Sequence, residues 1–244
     1  MERNKMKERF FLLSLSILVL TFVVGYGAYA QGLESIDIGD AADNPGSTEI
    51  AGGVYTINGS GSDIWESADG FRFAYIKLSG NFEAVVHQIS TVLPVEWAKH
   101  GIHARQSVDP GAANAQAIVT GGGASGCQIT WRQVEGGASS EFMDIAPGPW
   151  KDIECWLKLT REGDEFHGYI SEDGENWQDL NFTTVVMSDP VLVGLAVCGN
   201  GNMATAVYDE FIITQNGREV FPSMAVEPEG KLSVMWGKVK RECV

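Results

Sequence analysis

The chain has 244 residues, 29 of them glycine, with 17 basic side chains against 32 acidic ones and a formal net charge of −15. So acidic a balance argues against nucleic acid and anionic lipid as partners. None of its four cysteines stands at C-x-x-C spacing, which leaves a zinc knuckle or a thioredoxin-like pair unsupported.

Residues 1–30 come first. Arg3, Lys5, Lys7 and Arg9 precede an uncharged apolar run over 10–24, and Ala28-Tyr29-Ala30 follows. A basic start, a short apolar core and a small-residue site are the marks of a signal peptide, with cleavage expected after Ala30. The alternative is an uncleaved anchor, because 10–30 carries no charge. The expected mature protein is secreted, periplasmic or at the cell surface, with no membrane insertion after cleavage. Residues 1–30 hold four basic and two acidic side chains, so the remaining 214 residues carry 13 against 30, a net −17. That length suits one large β domain, expected over 31–218.

Short apolar runs then recur between glycine-rich turns. Strands are predicted over 53–58, 71–78, 82–89, 101–106, 115–120, 127–134, 155–161, 165–171, 191–198 and 204–214, with no sustained helical period. In 155–161, Cys155, Leu157 and Leu159 alternate with Trp156, Lys158 and Thr160, giving one apolar and one mixed face. Glu162-Gly163-Asp164 and Glu172-Asp173-Gly174-Glu175-Asn176 read as hairpin turns. The predicted fold class is all-β, two packed antiparallel sheets with negligible helix after residue 30. Residues 219–244, with Pro222, Pro228 and a basic end, read as a C-terminal tail or docking segment. Export permits disulfides, and any bridge should involve Cys127, Cys155 and Cys198 before the tail residue Cys243.

Two groups of residues carry candidate chemistry. Trp97, Lys99, Gly101, His103 and Arg105 lie two apart, so one strand face presents all five, and Arg132 on a second strand could join them. Aromatic rings stack on sugar C–H groups while polar tips bond hydroxyls or acidic groups. The alternative is structural: Arg105 pairs a buried carboxylate and Trp97 fills the core. The second group is Asp209, placed by strict alternation with Val207, Phe211 and Ile213. A carboxylate in an apolar register needs donors or a cation. Its partner is expected to be Arg105, Arg132 or Arg161, or a structural Ca²⁺ shared with Asp37 and Asp40. No other cofactor is expected.

Several phrases, in order, carry a resemblance. They are Asp37-Ile38-Gly39, then 61–65 with Asp69-Gly70-Phe71, then 97–105, 156–161, 169–177, Gly194-Leu195-Ala196-Val197 and 206–211. Together they resemble the secreted bacterial modules known as DUF1349-like, of concanavalin A-like lectin/glucanase fold. The resemblance implies a two-sheet jelly roll from about residue 36 to 214 and says much less about function. His103 stands where the resemblance has an apolar residue. Residues 171–177 are similar to the Asp-box hairpin of sialidases but one residue shorter, and their chemistry is structural.

Catalysis is not expected. Glycoside hydrolysis needs two facing carboxyls. The E-x-D-x-x-E run usual in glucanases of this fold is absent, as are G-x-S-x-G and H-E-x-x-H. Glu66 with Asp69, and Glu141 with Asp144, fall in loop-like surroundings. The expected function is a non-catalytic module for a carbohydrate or cell-surface polymer. The alternatives are an extracytoplasmic scaffold domain and, last, a glycoside-processing enzyme.

Overall fold

The computed structural model describes residues 32–122, 126–142 and 146–221. In chain order the strands are β1 (Glu34–Ile38), β2 (Ser47–Ala51), β3 (Val54–Gly59), β4 (Ile64–Trp65), β5 (Ala68–Asp69), β6 (Phe71–Leu78), β7 (Phe82–Val92), β8 (Lys99–Arg105) and β9 (Asn114–Thr120). Then come β10 (Cys127–Arg132), β11 (Ser139–Glu141), β12 (Cys155–Glu162), β13 (Glu165–Ser171), β14 (Gln178–Thr184), β15 (Val191–Cys198), β16 (Ala204–Gln215) and β17 (Arg218–Phe221). Two short 3₁₀ turns, Gly39–Asp43 and Trp150–Asp152, are the helical elements among the described residues.

The strands form two antiparallel sheets. Sheet A has the order β1-β6-β15-β8-β9-β10-β11. Sheet B has β14-β13-β12-β7-β16-β3-β2, with β17 beside β16. This is the jelly-roll sandwich expected from the sequence. Alternation builds the core between the sheets. Sheet B contributes Cys155, Leu157 and Leu159 from β12, Phe82, Ala84 and Val86 from β7, and Ala206, Tyr208, Phe211 and Ile213 from β16. Sheet A answers with Ile76, Ile102, Ala117, Ile129, Val193 and Leu195. Each fully buried large apolar side chain adds roughly 1.5–3 kcal/mol.

Sheet A differs from sheet B in being covered on both faces. In β8, β9 and β15 every residue is buried, so no inside–outside pattern survives. A second apolar cluster, Ile38, Phe71, Phe73, Tyr75, Leu192, Ala196 and Cys198, occupies half of its outer face and takes in Ile64 from the small β4–β5 hairpin. At the hairpin's neck Gly61 has φ +102°, and a Cβ there would lie 2.0 Å from the carbonyl oxygen of Gly70. The neck therefore requires glycine.

Three expectations are corrected. The described residues contain no disulfide: Cys127, Cys155 and Cys198 are free, buried thiols. Cys127 and Cys155 lie in the inter-sheet core, whereas Cys198 belongs to the cluster on the far side of sheet A. Burial pushes the Cys155 and Cys198 thiols up to about 12. Residues 219–221 belong to β17 and continue sheet B rather than starting a tail. Residues 1–30, the rest of the tail and Cys243 lie outside the described residues. The third correction concerns Asp209. β16 slips register between Asp209 and Ile212, and Glu210 has φ +48°. Tyr208 and Phe211 both point inward, so Asp209 and Glu210 both face out. Strict alternation had placed Asp209 in the core.

Candidate functional site

Antiparallel pairing aligns polar side chains in rows across the outer face of sheet A. One row is Arg105, Asn114, Arg132 and Ser139. The next is His103, Gln116, Thr130 and Glu141, and then come Gly101, Ile118 and Gln128. Residues two apart on a strand share a face, so alternation within β8, β9 and β10 carries all three rows to the same side.

The β4–β5 hairpin closes over the first row. Its Asp69 carboxylate is fully buried and accepts from Arg132 Nη1 at 2.9 Å and Arg105 Nη1 at 3.1 Å, with a second Arg132 bond through Nη2. Arg132 also donates to the Trp65 and Glu66 carbonyls, and Arg105 to those of Ser107 and Asp109. Burial pulls the Arg105 guanidinium down to about 10, which leaves it charged at neutral pH. This is the structural alternative for Arg105: two cations and one anion, dry, fix the hairpin to the sheet. His103 lies flat against Phe71, ring centroids 5.0 Å apart. Burial first, then the Arg105 and Arg132 charges, hold it well below the ordinary histidine range, so it is neutral.

Beside the hairpin the face opens into a cleft of about 260 Å³ lined by Asp63, Trp65, Trp97, Lys99, Gln128 and Glu141. Trp97 is half-buried against this opening rather than in the inter-sheet core. The Lys99 side chain is 3 % exposed, donates to Asp63 and lies 5.8 Å from the Trp97 ring centroid. The Gln128 amide donates to Glu141. Its Oε1, and the Oγ1 of Thr130 one row away, are buried with no hydrogen-bond partner among the described residues. Such orphans are few in native proteins, and each is costly when dry. A larger hollow of about 530 Å³ lies between Val134 and Val186, with Glu135 as the charged side chain in its lining.

The sequence-derived residues thus divide. Trp97 and Lys99 line the cleft, while His103, Arg105 and Arg132 are buried, the two arginines beneath the hairpin. Asp37, Asp40 and Asp209 are not brought together. Asp37 pairs Arg72 at 2.8 Å and accepts the Gly46 N–H, Asp40 accepts the Ser62 N–H, and Asp209 lies 2.6 Å from His87 on the outer face of sheet B. His87, rather than Arg105, Arg132 or Arg161, is the partner of Asp209. No group of three His, Cys, Asp or Glu among the described residues is placed to hold a metal. The shared-calcium expectation is corrected accordingly: the β16 bulge turns Asp209 away from the strand face that it assumed. Sequence reasoning did not select Asp63, Trp65, Gln128 or Glu141 as cleft residues. The alternation Gln128, Thr130, Arg132 was the signal available for one of them.

No family model matches the chain, and no curated protein aligns with it. Solved structures do resemble it in fold. A functionally unknown protein from Saccharomyces cerevisiae superposes with a TM-score of 0.59 at 17% identity, over 75% of this chain and 96% of that one. The carbohydrate binding module CBM66 from Bacillus subtilis superposes with a TM-score of 0.50 at 14% identity, over 76% and 98%. At these identities the likeness is one of fold alone, a two-sheet jelly-roll sandwich.

Proposed function

We propose that this chain is a secreted, non-catalytic β-sandwich module that binds carbohydrate in the cleft on sheet A. The observation that carries the reading is the lining itself. Trp65 and Trp97 flank polar groups that are held in place before any ligand arrives, Lys99 by Asp63 and Gln128 by Glu141. Apolar ring faces beside a few fixed polar atoms are what a sugar ring requires. The fold shared with a carbohydrate binding module supplies the scaffold for that reading and no ligand.

A glycan array with the protein as expressed is the test. Trp97→Ala should weaken binding of any array hit at least tenfold, while the urea midpoint stays close to that of the parent, because Trp97 lies outside the inter-sheet core. An array without a hit removes the proposal. The same cleft holds two carboxylates, Asp63 and Glu141, so reducing-end release from polysaccharides must be measured in parallel. Turnover that disappears in Glu141→Gln would replace the binding module with a hydrolase.

A further inference from the structure

Resting on the carbohydrate reading, we infer that the cleft accepts uncharged sugars through their hydroxyl groups and rejects uronate or sulfated ones. The chemistry of the free valences carries this. Asp63 and Glu141 are carboxylates, each with lone pairs left after its bond to Lys99 or Gln128. Gln128 lines the cleft but is 1 % exposed with its Oε1 buried, so the acceptors within reach of a ligand are those of the two carboxylates. Acceptors therefore dominate the wall, and acceptors want donors. A sugar hydroxyl donates to any of them, whereas a carboxylate or sulfate on the ligand has only lone pairs to offer.

Charge points the same way. Among the described residues Lys99 is the one cation in the lining, and Asp63 already neutralises it. Arg105 and Arg132, cations on the same face, are occupied by Asp69 and by backbone carbonyls. An anionic ligand would meet Glu141 with no free cation among the described lining residues to offset it, within a chain of net charge −15. Like charges close together in a partly desolvated cleft cost enough to decide specificity.

The experiment is calorimetric titration of the full chain, with a chelator present to remove cation bridges. Matched probes are used: mannohexaose against the mannuronate hexamer, and dextran against dextran sulfate. The neutral member of a pair should bind at least tenfold tighter at low salt. The gap should narrow at high salt, because screening weakens the repulsion. Glu141→Gln keeps an oxygen for the Gln128 amide and removes one charge, so it should shrink the gap without abolishing neutral binding. An acidic member that binds as tightly as its neutral partner overturns the inference and leaves the carbohydrate reading standing. A gap insensitive to both salt and Glu141→Gln also overturns it. If neither member of any pair binds and the array is blank, the carbohydrate reading falls, and the inference with it.

Discussion

Apart from the exposed Lys77–Glu34 pair near the β1 edge of sheet A, the outer faces of the two sheets hold pairs of two different kinds. On sheet B, His87 pairs with Asp209, and His167 with Asp179, whose side chain is 63% exposed. On sheet A the Asp69–Arg105–Arg132 group is fully buried, and both arginines also donate to backbone carbonyls. Exposed pairs of the first kind contribute little, since water screens them and two side chains must be ordered. The second kind is held in a single arrangement by the cost of exposing or unpairing it. One surface can thus drift under substitution, whereas the other keeps a hairpin, and the cleft beside it, in fixed register.

The comparison breaks most sharply at Asp69. Asp69→Ala leaves two buried guanidinium groups without a counter-charge, and a loss of about 3–5 kcal/mol is expected. In a domain whose total stability is of order 5–15 kcal/mol, that is a large share. Arg105→Ala should cost a similar amount. Urea unfolding checks both, and a variant within about 1 kcal/mol of the parent would show that the hairpin is not anchored this way.

An effect of comparable size by pH 5 follows from the neutral buried histidines. His103 sits on the outer face of sheet A, and His100 lies 2.8 Å from the Tyr208 hydroxyl in the core. Burial lowers His100 to about 3 and His103 well below its usual value. The unfolded chain binds protons at both near pH 6.5 while the folded chain does not. Stability is then full above 6.5 and falls as pH drops toward the folded values, by about 1.4 kcal/mol per pH unit for each histidine. Denaturant titrations at pH 7, 6 and 5 stay above the carboxylate range and should show the decline. His103→Gln should remove about half of the slope.

Much of sheet B was legible in the sequence, because one covered face leaves the period of two intact. The runs predicted over 155–161, 165–171 and 204–214 match β12, β13 and β16 to within a residue at each end. The strong apolar runs of sheet A at 71–78 and 191–198 were legible too, but not the covering of both faces. The strands β4 and β5 are two residues each, too short for any periodicity, although they build the roof of the site. The partner of Arg105 lies 36 residues away and that of Arg132 lies 63, so burial announced that each needed a carboxylate without saying which. Trp97 and Lys99 were found because they alternate locally. Asp63 and Glu141 reach the cleft from separate parts of the chain, through pairings that only the folded sheet reveals.

The smallest expected effect lies on sheet B and sharpens the contrast from the other side. Strict alternation makes Asp209 a candidate calcium ligand together with Asp37 and Asp40. The bulge places it outward, 35% exposed, against His87, which is itself stacked on Trp156 at 3.9 Å between ring centroids. The stack fixes the imidazole whether or not the carboxylate is present, so Asp209→Ala should cost no more than about 1 kcal/mol, in line with exposed pairs. Calcium supplies an independent check. A cation bound only by the folded state would add about 2.7 kcal/mol at a concentration of 100 times its dissociation constant. Millimolar calcium should therefore leave the thermal midpoints of the parent and of Asp209→Ala equally unmoved. A calcium-dependent rise in the parent that is absent from the variant would restore Asp209 as a ligand, and the outer face of sheet B would then hold charge for a reason other than shallow pairing.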